Sequence, residues 1–268
     1  MNKFCFIDSS GIMVKDPFFG TGLLVVKNVG DMADKLNKNS QPAKERTISA
    51  KRKAIDQLLA KGRKDEVVTM LRNSVRFEMK FDNIRPASES YYERMIDVFF
   101  SDNENRFSAM IVNKENPKFD GDGVGDAWET YSKYAASLVV KEMENLPEDQ
   151  LCVVVDEITR PRNKPLSLED TILSKIRTEI TASTSLNLSQ IFGTLSIESH
   201  SNFLMQLSDL LLGAVMYDYK KKAGLVSQQM ERRKEPFVNK LRSTLNVASL
   251  AQNFADDSLA YFTVLESI

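Results

Sequence analysis

Leu151-Cys-Val-Val-Val-Asp156-Glu157 is an unbroken apolar run that closes on two acids. It lacks the alternation of a half-solvated strand, so it predicts a central strand covered on both faces. Toward the N-terminus, Lys3-Phe-Cys-Phe-Ile-Asp8 has the same form, a short buried strand ending on an acid, with Ser9-Ser10-Gly11 as the turn that follows. Further strands are predicted over Thr21 to Lys27, Arg106 to Asn113 and Gln190 to Glu198. Val75 to Phe81 predicts another, with Val75, Phe77, Met79 and Phe81 on one face and Arg76, Glu78 and Lys80 on the other. Helices are predicted from Pro86–Ser88 to about Phe100, from Asp126 as N-cap to about Asn145, from Ser167 to Glu179 and from Asn202 to about Lys221. Strands first, then strands alternating with helices, predict an α/β fold: a mixed sheet with helices on its faces. The expected organisation is one domain over residues 1–222, with a polar helical insertion at about 31–73, and a helical C-terminal extension over 223–268.

With 268 residues, 42% of them hydrophobic, the chain is long enough to bury one large core. It has no apolar run of about 18 residues to cross a bilayer, and its Met-Asn-Lys start leads into a strand, so a cytoplasmic protein with no membrane partner is expected. A net charge of −1 gives no global attraction to polyanions; any such binding must come from local patches. Cys5 and Cys152 lie in apolar runs and read as small buried hydrophobes. His200 is the single histidine, which rules out a multi-histidine zinc site, makes any Ser-His-Asp or Cys-His arrangement depend on that one residue, and leaves most of any catalysis to carboxylates.

Asp8 and Asp156 each sit at the carboxyl end of a buried strand, the edge where open α/β sheets place ligands. Adjacent strands bring the two acids together, and such a pair is costly to bury unless a cation such as Mg2+ or Mn2+ neutralises it. The alternative is that each acid merely caps the turn after it. In the helix from Asn202, Gln206, Asp209 and Gly213 share one narrow stripe flanked by apolar residues, where an unpaired acid is expensive; the alternative for Asp209 is a solvated surface acid. Gly213 costs the helix up to about 1 kcal/mol relative to Ala unless something approaches it closely. Asp120-Gly-Asp-Gly-Val-Gly-Asp126 fails as an EF-hand loop, because Val124 and Tyr131 stand where that loop needs oxygen ligands. Neither a P-loop nor G-x-G-x-x-G is present.

Four stretches in order, Phe6-Ile-Asp-Ser-Ser-Gly11, Glu78-Met-Lys80, Val153-Val-Val-Asp-Glu157 and Gln206-Leu-Ser-Asp-Leu-Leu-Leu-Gly213, resemble the motifs of the bacterial and archaeal domain-of-unknown-function family 3800, regarded as ribonuclease H-like. Two positions depart from its pattern: Ser9 stands where the family usually has Glu, and Ser208 where it has Ala. The resemblance implies a ribonuclease H-like nuclease in which Asp8, Glu78, Asp156 and Asp209 are both metal ligands and catalytic residues. Asp8 would bridge two ions about 4 Å apart, one activating water and the other stabilising the leaving oxygen. It also implies an RNA or DNA substrate, held through its phosphates by Lys80 and by Arg160, Arg162 and Lys164, which follow Asp156. The alternative for that loop is a solvated turn. Glu157, Glu198 and His200 are auxiliary candidates. A second function consistent with the resemblance is a non-catalytic module that binds nucleic acid or a protein partner in a mobile-element or antiviral system. A homodimer or partner interface through the C-terminal helices is a third.

Overall fold

The computed structural model describes residues 1–11, 16–73, 78–116, 127–181 and 186–267. Among the described residues there are seven strands: β1 (Asn2–Ser10), β2 (Phe18–Val26), β3 (Arg106–Asn113), β4 (Gln150–Asp156), β5 (Ile191–Ile197), β6 (Phe254–Asp256) and β7 (Tyr261–Ser267). They form one mixed sheet in the order β5-β4-β1-β2-β3-β7-β6. β1 runs parallel to β4 and antiparallel to β2, β3 is antiparallel to β2 and parallel to β7, β4 is parallel to β5, and β6 is antiparallel to β7.

The helices are α1 (Val29–Ala60), α2 (Lys64–Asn73), α3 (Glu89–Phe99), α4 (Ala127–Asn145), α5 (Leu168–Thr181), α6 (Phe203–Lys222) and α7 (Gln228–Thr244). The central strands send alternate residues to opposite sides, as the pleat requires. Phe6 and Val154 join a core built with α1, α3, α6 and α7. Ile7 and Val155 join a second core, built with α4 and α5. α6 is the helix pressed hardest on the sheet: Leu207, Leu210, Leu211 and Ala214 are fully buried, and Asn202 caps it by accepting from the Leu204 and Met205 N–H groups. Cys5 and Cys152 are free and buried, in keeping with the apolar runs that carry them. Among the described residues no helix is long and apolar enough to cross a membrane.

Two expectations are corrected. Residues 75–77 of the predicted strand Val75–Phe81 lie outside the described residues, but 78–80 join no sheet, and Phe81–Asn83 forms a 3-10 turn. The alternation is real, since Met79 and Phe81 are buried while Glu78 and Lys80 are half-buried. What faces this extended segment is a helix rather than another strand. Gln206 Oε1 accepts from the Met79 N–H at 2.9 Å and Asp209 Oδ2 from the Phe81 N–H at 2.7 Å, so two side chains of α6 take the place of a neighbouring backbone. The C-terminal part, expected to be helical throughout, holds α7 and then β6 and β7. Tyr261 to Val264 is aromatic and β-branched, with Phe262 and Val264 buried on one face, and β7 extends the sheet beside β3. The Asp120–Asp126 loop, including the predicted Asp126 cap, lies outside the described residues.

Candidate carboxylate site

The last pair between parallel strands β1 and β4 is Ile7 with Val155, so the next residue of each strand is an acid: Asp8 and Asp156 stand side by side at one edge of the sheet. Both follow a residue whose side chain enters the α4–α5 core, so both turn toward α6. α6 is held against β1 there, with Ser208 Oγ donating to the Phe6 carbonyl at 3.4 Å. The next residue of α6 is Asp209.

The electrostatics record the crowding. Asp8 is buried; burial first, then the charges of Asp209 and Asp156, push its carboxyl well above the ordinary carboxylate range, against the Ser9 N–H that Oδ1 accepts at 2.8 Å and against Lys80. Burial likewise pushes Asp209 up to about 6, opposed by the Phe81 N–H and Lys80 and reinforced by Asp82 and Glu78. Asp209 keeps a partly exposed edge, but protein surrounds its carboxyl closely. Burial raises Asp156 as well, against Lys80 and the Ser199 N–H that Oδ1 accepts at 3.0 Å. Lys80 is the counter-charge: burial disfavours its ammonium, but Glu78, Asp209 and Asp156 outweigh that and raise it.

Glu78 arrives from the segment docked on α6. Its Oε1 accepts from Ser199 Oγ at 2.8 Å and pairs with Lys80 Nζ at 3.2 Å. Gln206 fixes that segment and the turn after β5 together, because its Nε2 also donates to the Ser199 and His200 carbonyls at 3.1 and 3.3 Å. A cleft of about 380 Å³ opens over this edge, lined by Glu78, Lys80, Asp156, Glu157, Glu198 and His200 among others. His200 Nδ1 meets Glu198 Oε2 at 2.9 Å on its rim.

Asp8, Glu78, Asp156, Asp209 and Lys80 are thus brought to one edge, with Glu157, Glu198 and His200 beside them. The loop cations are not. Arg160 and Arg162 are exposed outside the cleft lining, and Lys164 pairs with Glu129 of α4 at 2.7 Å. Among the described residues no three His, Cys, Asp or Glu side chains form a ready-made metal group. Asp8, Asp156 and Asp209 each accept from a backbone N–H, and Glu78 accepts from Ser199 and pairs with Lys80. The fit to a cation rests on donor chemistry: an all-oxygen, partly desolvated set in which the charges of Asp209 and Asp156 raise Asp8 suits a hard divalent ion.

Lys234 of α7 was not singled out from the sequence. It is buried, donates to the Phe81 carbonyl, and stands 4.8 Å from the Phe81 ring. Burial lowers its ammonium to about 8 against the pull of Asp82 and Asp209. Its signal was periodicity, because it shares the buried stripe of α7 with Phe237, Val238 and Leu241. Compared with known proteins, the chain matches no family model and no curated relative.

Proposed function

We propose that this protein is a cytoplasmic, ribonuclease H-like, metal-dependent nuclease that hydrolyses phosphodiester bonds of RNA or DNA. The observation that carries the reading is the meeting of Asp8, Asp156 and Asp209 at one sheet edge, each raised by burial and Asp8 further by the other two. Such a cluster is poorly stabilised by the protein's own groups and is best explained by a divalent cation. The mixed sheet with helices on both faces supports the same class.

Asp8, Asp156, Asp209 and Glu78 would hold Mg2+ or Mn2+, which supplies activation of water and stabilisation of charge on the leaving oxygen. Lys80 offers an ammonium to a substrate phosphate once the carboxylates are neutralised. His200, held by Glu198 at Nδ1, keeps Nε2 for passing a proton to the leaving oxygen. Gln206 and Ser199 position Glu78 and Asp156.

A non-catalytic module that binds nucleic acid or a protein is the second reading. It is favoured by Ser9 in place of a further acid and by carboxylates already engaged with N–H groups. Labelled single-stranded, duplex and hybrid RNA and DNA, incubated with Mg2+ or Mn2+, separate the two. Cutting by the wild type that is lost in Asp8→Asn and Asp156→Asn is expected. Folded wild-type protein that cuts none of them overturns the nuclease.

A further inference from the structure

Glu78 borders two clefts. One is lined by Glu78 and Asp156 of the carboxylate edge; the other, of about 390 Å³, runs from Glu78 between α1 and the start of α3. Arg46 and Lys51 of α1, Arg85 and Tyr91 line the second, and among its described lining residues Glu78 is the one acid. Arg46 Nη1 donates to the Ala87 carbonyl at 2.9 Å, and Arg85 Nη1 to the Asp82 and Ile84 carbonyls at 2.6 and 2.8 Å. Among the described residues neither guanidinium meets a carboxylate. A carbonyl takes up part of the donor capacity and fixes the direction of the group, so both cations are oriented with charge and further N–H groups open to an anion.

The anion's class follows from the surroundings. Tyr91 is half-buried, with the Arg94 guanidinium 4.9 Å from its ring centroid, so an aromatic surface and a further cation stand beside the pair. Cations spaced along a groove with an aromatic ring among them suit a phosphate backbone whose bases are free to stack. The volume is that of a small-molecule pocket, which takes a nucleotide-sized unit rather than the width of a helix.

We propose that this cleft binds the sugar–phosphate backbone of a single-stranded polynucleotide, with phosphates on Arg46 and Arg85, and leads the strand past Glu78 to the carboxylates. The helical insertion that carries Arg46 then serves as one wall of the substrate path. The proposal rests on the nuclease reading of the carboxylate edge.

The test is fluorescence anisotropy of a labelled single-stranded oligonucleotide, and of the same sequence as a duplex, in EDTA over a range of salt. Wild type is compared with Arg46→Gln/Arg85→Gln and with Arg46→Lys/Arg85→Lys. Both side chains are exposed, so unchanged melting midpoints are expected. Losing two phosphate contacts makes the single-strand salt slope shallower by about 1.4, which is about 25-fold in affinity at 0.1 M salt relative to 1 M. The lysine variant keeps the slope. Binding by the glutamine variant equal to wild type, duplex bound as tightly as single strand, or no binding by wild type overturns the cleft. Strand binding that depends on both arginines, without cutting in Mn2+, leaves the cleft standing and overturns the nuclease.

Discussion

Gly213→Ala perturbs the packing that holds the site together. A Cβ at position 213 would stand 2.4 Å from Phe81 Cγ and 2.5 Å from Phe81 Cβ. Those are the inner atoms of the side chain, next to a backbone held at both ends, with its N–H on Asp209 and its carbonyl on Lys234. The segment cannot swing away without breaking one of these contacts. Replacing Gly by Ala in a helix gains up to about 1 kcal/mol, whereas overpacking costs about 1–3 kcal/mol. Stranding the Phe81 N–H or carbonyl costs about 1–3 kcal/mol more. The net expectation is a loss of about 1–5 kcal/mol once the full helix gain is subtracted from the other two terms. Urea denaturation of wild type and variant measures it through the midpoint at constant slope. The same displacement moves Asp209 and Glu78, so divalent-cation binding is expected to weaken. A variant as stable as wild type or more so, with unchanged cation binding, refutes the claim that Gly213 exists to let Phe81 approach.

The raised carboxylates carry a pH dependence. Asp209 binds its proton more tightly folded than unfolded, so its stabilising contribution is full below about pH 4 and is lost as pH rises through about 6; Asp8 acts in the same direction. In EDTA at pH 8, Asp8→Asn and Asp209→Asn are therefore expected to melt above wild type, with the gap closing near pH 4; equal melting at pH 8 counts against the crowding. Gln206→Leu strands the Met79 N–H and two carbonyls, at about 1–3 kcal/mol for each group that finds no water, and a denaturation midpoint equal to wild type would show that Gln206 is no clamp. Arg242 of α7 pairs with buried Asp218 of α6 and with Glu235 at 2.8 Å. Arg242→Met leaves a buried carboxylate uncompensated and is expected to cost about 3–5 kcal/mol in the same assay, with little effect on cation binding.

The strand ends were legible because a buried strand that closes on an acid is unusual on its face: Asp8 and Asp156 need only parallel adjacency to meet, and β1 and β4 supply it. The α6 stripe was legible from its period, and Gly213 from the cost of glycine inside a helix. The Glu78 segment was not, because period-two alternation records which side chains are buried and says nothing about whether a strand or a helix lies opposite. Gln206 and Asp209 answering the N–H groups of Met79 and Phe81 is a tertiary arrangement with no local signature. β7 was passed over behind a polar helix, although Phe262 and Val264 alternate as a half-buried strand should. Lys234 was hidden by its charge, which reads as solvent-facing beside Arg232 and Arg233.

The Asp8–Asp156–Asp209 edge is proposed to hold a divalent cation. Calorimetric titration of Mn2+ into metal-free protein at pH 7.5, which is roughly a unit or more above the raised carboxylate of Asp209, tests it most directly, with wild type, Asp8→Asn and Asp156→Asn compared. Saturable binding by wild type is expected, abolished by either substitution while the protein stays folded. Wild type that binds no Mn2+, or variants that bind it as well as wild type does, would contradict it.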